Sequence, residues 1–392
     1  EMIGELGFFD QASRTLTISA RRDSILLEID QAALEQFGEF SRSVYHHLIR
    51  MLVSRFKREL GYSGPLKQHQ FILFQSLIRP EGFSQQAVEG FQSAMARHCE
   101  LRRWKSLSDI PKGTSAVAAS RVVEMIETEP LESLDDRLVE ELDCMVVMIC
   151  ASTLGDSHSC GLLKSQLKST DDDLPVWLVL VHEAAWVEHS VAERIRDLFG
   201  TGFRLLHIRR GHHADNARAV RHILGLTLGL VLGGGGARGF AHAGFFQALE
   251  EAGVVVDAVG GTSMGALVGA LISSGRTSLE VNKALATSFK KGLPFKLKDY
   301  WIPKHGFVKS KAVDEVYRNA FGEMLIEDQP IPFFAVSCNL TTGNQFLFEQ
   351  GPLWKAVRAS TSIPVFFEPF MAGRQVMVDG ALVNNVPVDC MR

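Results

Sequence analysis

The spacing of hydrophobic and polar positions changes several times along this chain. Residues 15–18 (Thr-Leu-Thr-Ile) alternate, and 25–29 (Ile-Leu-Leu-Glu-Ile) form a second strand-like run after turn residues, so residues 1–39 read as a β-rich segment. From 40 to 64 the period becomes helical. Val44, Leu48, Met51, Leu52 and Phe56 share one face, and Gly61, Gly64 and Pro65 end the element, a connecting helix between domains. Residues 65–224 alternate apolar runs with amphipathic stretches: strands are expected at 71–77, 144–150, 176–181 and 203–208. A helix is expected at 84–98, with Phe83, Ala87, Val88, Phe91, Ala94 and Met95 on one side. Such alternation predicts a parallel sheet with crossover helices. Residues 225–392 repeat it. A strand at 226–232 runs into four glycines, a helix follows at 242–251, a strand at 254–259 precedes a helix at 266–273, and a short strand ends at Asp379.

A chain of 392 residues exceeds what one core usually holds, so several domains are expected. With 46% hydrophobic and 22% charged residues it has a globular composition, and a net charge of -4 gives no general pull towards nucleic acid. Cys99, Cys144, Cys150, Cys160, Cys338 and Cys390 have no short repeated spacing, which argues against a zinc cluster and a disulfide framework and for a reduced, intracellular setting. The longest apolar tract, 223–246, is broken by repeated glycines and by Arg238, so it is not a lipid-facing helix. No leader is apparent: the first residue is Glu1 and charges begin at once. The start falls inside a β-rich pattern and the end follows a turn with no closing element, so both ends read as cut.

Three features of the last segment carry chemistry. Gly233-Gly234-Gly235-Gly236-Ala237-Arg238-Gly239 lies between a strand and a helix. Consecutive glycines let backbone N–H groups converge, and a helix N-terminus behind them suits an anion, either a bound phosphate or an acyl-transfer oxyanion. Gly234, Gly236 and Gly239 also make a loose dinucleotide spacing, with Asp257 as the carboxylate that would follow. The second feature decides between these uses. Gly261-Thr262-Ser263-Met264-Gly265 sits in a strand–turn–helix context, which is that of a nucleophile elbow presenting Ser263. Third, the only histidine after Ser263 is His305, with no strand end to position it. Asp379 ends a short strand just before Gly380. It could cap a turn, as many Asp-Gly pairs do, yet a serine nucleophile needs a base and this carboxylate is the best placed.

Gly234–Gly239, Gly261–Gly265 and Asp379-Gly380-Ala381, in that order and spacing, resemble patatin-like phospholipases. The resemblance implies a modified three-layer α/β catalytic domain with a Ser263–Asp379 dyad. In it Ser263 attacks an ester carbonyl, Asp379 takes the proton and later activates water, and backbone N–H groups around Gly234, Gly235, Gly236 and Arg238 hold the oxyanion. Leu230–Gly239, Val259–Gly265, Trp354–Ser360 and Asp379–Asn385 resemble more narrowly the neuropathy target esterase group, as does Asp143–Val147 upstream. That implies a lysophospholipase, in some members also cleaving the second acyl chain, at a membrane or micelle surface, with no cofactor and no metal. The whole chain is then α/β: a patatin-like catalytic domain (225–392) preceded by a Rossmann-like parallel domain (65–224) and a partial β-roll (1–39).

Within that β-roll, Gly4-Glu5-Leu6 followed by Arg14-Thr15 resembles the phosphate cassette of cyclic-nucleotide-binding domains. A glutamate suits a ribose hydroxyl and an arginine suits a cyclic phosphate. Only the second half of such a domain is present, so cyclic-nucleotide binding by the full protein stands beside a scaffold that has lost its ligand. Pro111–Ser115 lacks the leading glycine of a P-loop, and Asp171–Asp173 reads as a solvated loop. His212, His213 and His222 read as surface histidines rather than metal ligands. Residues 289–311 interleave Lys290, Lys291, Lys296, Lys298, Lys304 and Lys309 with Phe295, Tyr300, Trp301 and Phe307, a composition suited to a membrane interface.

Overall fold

Runs of β-branched and aliphatic residues with no polar break can be buried only where both faces of a sheet are covered. Cys144–Cys150 and Val176–His182 are such runs, and each is buried along its whole length. The computed structural model describes residues 69–77, 83–106, 109–110, 122–128, 142–154, 174–200, 202–289, 307–308 and 310–391, with 161, 164 and 167 between, all within one compact unit, 66–392. The β-roll cassette, the connecting helix, the Pro111–Ser115 loop, the Asp171–Asp173 run and most of the lysine-rich stretch lie outside the described residues.

Strands β1 (His69–Leu77), β2 (Glu100–Trp104), β3 (Val122–Thr128), β4 (Cys144–Cys150), β5 (Val176–His182) and β6 (Phe203–Arg209) form a parallel sheet in the order β2-β3-β1-β4-β5-β6. The strand order reverses between β1 and β4, the arrangement of a doubly wound fold. Side-chain alternation splits its core into two layers. Cys144, Val146 and Met148 of β4, with Trp177, Val179 and Val181 of β5, meet helices α1 (Phe83–Ala96) and α3 (His213–Ile223). Met145, Val147, Ile149, Leu178 and Leu180 point the other way, towards Val191 and Ile195 of α2 (Val191–Phe199). Strands β2 and β3 escape a reading based on apolar runs because their polar residues pair with one another. Arg102 Nη1 and Trp104 Nε1 reach the buried Glu124 carboxylate at 3.2 and 2.5 Å, and Arg103 grips Glu127 with two hydrogen bonds.

The second sheet is mixed. It contains β7 (Gly229–Leu232), β8 (Ala258–Thr262), β9 (Phe333–Asn339), β10 (Asn344–Phe348), β11 (Phe370–Ala372) and β12 (Gln375–Asp379). Strands β7, β8 and β9 run parallel, while β10 and β12 are antiparallel to β9. Around them stand α4 (Ala241–Glu251), α5 (Met264–Ser273), α6 (Ser278–Phe289), α7 (Ser310–Phe321) and α8 (Leu353–Ser360). Every residue of β9 is buried, so this sheet too is covered on both faces, giving a three-layer α/β arrangement. Among the described residues no helix is long and apolar enough to cross a membrane.

Register fixes the centre of the domain. Strand β8 pairs with Phe333–Val336, β12 with Ser337–Asn339, and β10 with Ala335–Asn339. Since β10 overlaps both others, β8 and β12 must share the opposite edge of β9. They lie end to end on it, with Thr262 beside Val336 and Asp379 beside Ser337.

Two expected boundaries shift for a physical reason. The strand expected at 254–259 begins only at Ala258, and the one expected at 226–232 only at Gly229, because their pairing starts at Gly229 and Ala258. The residue before, Asp257, is fully buried and engaged sideways. It accepts two hydrogen bonds from Arg221 of α3, at 2.9 and 2.6 Å, and one from the Leu228 amide at 3.0 Å. Asp257 thus joins the first sheet's last helix to the second sheet. A second joint is made by Asp328, whose carboxylate accepts the Ser190 and Ala192 amides at the start of α2. Replacing Asp257 with Ala leaves the Arg221 guanidinium without its partner. The expected loss is roughly 3 kcal/mol of unfolding free energy, read from chemical denaturation.

Candidate active site

Sheet pairing delivers two chain ends to one point, and the local sequence decides what stands there. Strand β8 ends at Thr262, and α5 starts at Met264. The single residue between them, Ser263, has φ 56° and ψ -123°. A non-glycine residue held there costs on the order of 1–3 kcal/mol, so the surroundings must enforce it. Both flanking glycines are required by backbone contact. A Cβ on Gly261 would stand 2.6 Å from the Gly265 carbonyl carbon, and one on Gly265 would land on the Leu232 carbonyl. Thr262 Oγ1 donates to the Asn384 carbonyl at 2.8 Å, and the Ser263 amide donates to Ser360 Oγ at 2.9 Å. Ser360 in turn donates to the Val336 carbonyl at 2.5 Å.

The facing end is built as tightly. The Asp379 amide donates to the Ser362 carbonyl at 2.9 Å, and its Oδ1 accepts the Ala381 amide at 2.9 Å. Gly380 packs so closely on the Val336 carbonyl that no side chain fits. The remaining oxygen, Oδ2, accepts the Ser263 hydroxyl at 2.6 Å. Ser263 is 5% and Asp379 4% exposed. Burial pushes the Asp379 carboxyl above the ordinary carboxylate value, and the hydrogen bonds from Ser263 and Ala381 pull back only in part. Among the described residues no cation is paired with it. The result is a carboxylate that accepts a proton more readily than an exposed one.

The glycine loop passes over this pair. A Cβ on Gly234 would come 3.0 Å from that of Ser263. The Gly234 amide is engaged with the Asn385 carbonyl at 3.2 Å, and the Arg238 amide with the Gly235 carbonyl at 3.2 Å. These two bonds hold the loop's shape, and Gly235 and Gly236 stand between them. Gly236 has φ +54°, where glycine is favoured, and it lines the pocket with Ala237. The backbone carbonyls of Asn384 and Asn385 tie the stretch after Asp379 to the elbow and to the loop.

Ser263 opens onto a pocket of about 730 Å³. Its walls are mainly apolar: Phe240, Met264, Leu267, Leu271, Ala320 and Phe367, among others, with α6 and α7 on the far side. Tyr317 lines it as well, its hydroxyl bonded to Thr361 and its ionisation suppressed by burial. Below lies Arg358, a fully buried guanidinium. It donates to Asp314 Oδ1 at 3.0 Å, to the Glu368 carbonyl at 2.9 Å and to Ser362 Oγ, so it braces the turn that holds the Asp379 amide. Sequence reasoning missed Ser360, Ser362, Arg358 and Tyr317 as parts of this site. The Trp354–Ser360 motif holds Arg358 and Ser360, but nothing in it says which atoms face Ser263 and Asp379, and Tyr317 and Ser362 lie outside it.

Other expectations fall elsewhere. Asp257 is saturated by Arg221 and Leu228, so it is not turned to a ribose. His212 and His213 are exposed, whereas His222 is half-buried. Its Nε2 lies 3.0 Å from the Asp257 carbonyl, and its ring packs on Trp177. The sequence reading also passed over a buried pair, His182 and His207, 3.0 Å apart, held neutral by burial with values lowered to about 3 and about 4. Among the described residues no group of three or more His, Cys, Asp or Glu side chains could hold a metal ion. Glu5, Arg14 and Thr15 lie outside the described residues.

Residues 230–391 match the Patatin family, patatin-like phospholipase, a stretch that includes Ser263, Asp379, the glycine loop and the pocket. An uncharacterized NTE family protein of Mycobacterium tuberculosis is 43% identical over 184 residues, 46% of this chain and 31% of that protein. The neuropathy target esterase sws of Drosophila melanogaster is 37% identical over 202 residues, 50% of this chain and 14% of that protein. The matched stretch thus spans a minor part of these relatives' length. VipD from Legionella pneumophila is similar over 41% of this chain and 47% of its own, at 17% identity and a TM-score of 0.29, too remote for any transfer of detail. Replacing Ser360 with Ala removes the acceptor of the Ser263 amide. The expected result is roughly 2 kcal/mol lower stability in denaturant and slower reaction of Ser263 with a fluorophosphonate probe.

Proposed function

We propose that this chain, whose C-terminal part is a patatin-like phospholipase domain, hydrolyses carboxylic acyl esters of lysophospholipids and phospholipids through Ser263 and Asp379. The observation that carries the reading is the 2.6 Å hydrogen bond from Ser263 Oγ to Asp379 Oδ2 at the mouth of an apolar pocket. An acyl chain fills that pocket and brings its ester carbonyl to Ser263. Ser263 Oγ attacks the carbonyl carbon as its proton passes to Asp379 Oδ2. The carbonyl oxygen becomes an oxyanion facing the Gly235 and Gly236 amides, and the N-terminus of α5 adds a favourable dipole. Collapse breaks the C–O bond to the leaving glycerol oxygen, which takes the proton from Asp379. Water then gives a proton to Asp379 and attacks the acyl-enzyme, releasing fatty acid and returning the proton to Ser263.

The same proposal includes action at a membrane or micelle surface and control of the full protein by a cyclic nucleotide through Glu5, Arg14 and Thr15. The relatives' names support esterase chemistry.

Ser263→Ala should abolish both fatty-acid release from lysophosphatidylcholine and covalent labelling by a fluorophosphonate. Asp379→Asn should lower turnover roughly 10⁴-fold. Neither variant should unfold. A carboxyl raised by burial stabilises the folded chain only when protonated, and that contribution is lost as pH rises through the folded value. A neutral Asn should therefore be no less stable than Asp at pH 7–8, as thermal melts would show. Wild-type turnover in Ser263→Ala contradicts the mechanism.

A further inference from the structure

Five consecutive apolar residues, Ile363-Pro364-Val365-Phe366-Phe367, form a turn at the pocket mouth, closed by the Phe367 amide on the Ile363 carbonyl at 2.9 Å. Turns ordinarily carry Gly, Asn or Asp, and exposed runs of this kind are uncommon without a use. Val365 is 66% and Phe366 55% exposed. Val365 also has φ +72°, a left-handed conformation that a β-branched side chain strongly disfavours. This position therefore carries a residue poorly suited to its backbone and poorly suited to water. The turn is held firmly all the same. The Phe307 amide donates to the Val365 and Phe366 carbonyls at 3.0 Å each, and the Phe307 ring packs against Phe366. Ile363, Phe366 and Phe240 are exposed and also line the pocket, so the apolar rim and the slot leading to Ser263 are one continuous surface.

We infer that this rim is a docking face for an anionic phospholipid bilayer, with Val365 and Phe366 entering the interface and the acyl chain passing from bilayer to slot along the rim. The inference rests on the lipid-esterase reading and adds the surface through which substrate arrives. Charge selects the occupant. The sequence joining the two pocket-lining helices α6 and α7 carries Lys290, Lys291, Lys296, Lys298, Lys304 and Lys309, with Lys311 following, against the single carboxylate of Asp299. The whole chain is net negative at -4, so this basic stretch of sequence, which leads into Phe307 of the rim, is a local reversal of sign, complementary to an acidic leaflet. A protein partner would need neither the continuity with the slot nor the one-signed charge.

The test uses the full chain with Ser263→Ala, so that binding is read without turnover, and vesicles of phosphatidylcholine with or without 30 mol% phosphatidylserine, about the content of an acidic leaflet. Val365→Asn is the informative variant, because Asn tolerates positive φ and Val365 lies outside the pocket. The Ser263→Ala chain should sediment with the anionic vesicles and be released by high salt. Adding Val365→Asn should weaken that binding about fivefold or more, with an unchanged or raised melting temperature. In the chain that keeps Ser263, Val365→Asn should leave hydrolysis of a monomeric short-chain ester unchanged and slow hydrolysis of vesicle lipid. Equal vesicle binding with and without Val365→Asn overturns the inference. So does a dimer in sedimentation velocity that the substitution dissolves, since the rim would then cover a second copy. Loss of the inference through vesicle binding leaves the esterase reading intact, whereas failure to hydrolyse even the monomeric ester counts against the esterase reading alone.

Discussion

One edge of one strand organises the catalytic end of this molecule. Because β8 and β12 occupy successive stretches of the same edge of β9, their ends point at each other and the residues beyond them must meet. Hydrogen-bond register, a property of the backbone, thus turns a separation of 116 positions into a 2.6 Å contact. The elbow, the glycine loop and the pocket are arranged around that contact. A one-residue slip of β12 would turn Asp379 to the other face of the sheet and break its hydrogen bond with Ser263.

The site is expensive to keep. Ser263 holds an unfavourable backbone conformation, and Asp379 is a buried carboxylate with no cation paired to it among the described residues. The surroundings offset these costs by engaging the amides of both residues and one oxygen of the carboxylate. Ser360 takes the Ser263 amide, Ser362 takes the Asp379 amide, and Ala381 donates to the carboxylate. Arg358 fixes the turn between Ser360 and Ser362 from below. Its charge is itself buried, tolerated because Asp314, Ser362 and the Glu368 carbonyl consume its donors. The destabilised carboxylate suits chemistry: the same burial that disfavours its charge makes it a better base.

Much of this was legible in the sequence where the constraint is local. Gly261 is forced by backbone contact with Gly265 within the turn, so the motif announces the turn, although Gly265 itself is forced by the Leu232 carbonyl of the neighbouring strand. The apolar runs of β4 and β5 announce a sheet covered on both faces. Polar strands did not announce themselves, because the pairing of Arg102 and Arg103 with Glu124 and Glu127 is tertiary. Strand β9, the splint, carries no motif of its own. Nor could spacing show that the Gly234 amide is spent on the Asn385 carbonyl, that Asp257 answers to Arg221, or that Val365 sits at positive φ. Each of these depends on a partner far away in the chain or on a dihedral that composition does not encode.

The central claim is that Asp379 activates Ser263 directly across their hydrogen bond. It is tested most directly by the rate at which a fluorophosphonate labels Ser263 as a function of pH, with Asp379 and with Asn in its place. The account predicts a rise with pH in the wild-type chain, centred above the ordinary carboxylate range because burial raises Asp379, and a slow, flat profile with Asn. The same rising profile in both chains would show that some other group takes the proton, and would contradict the account.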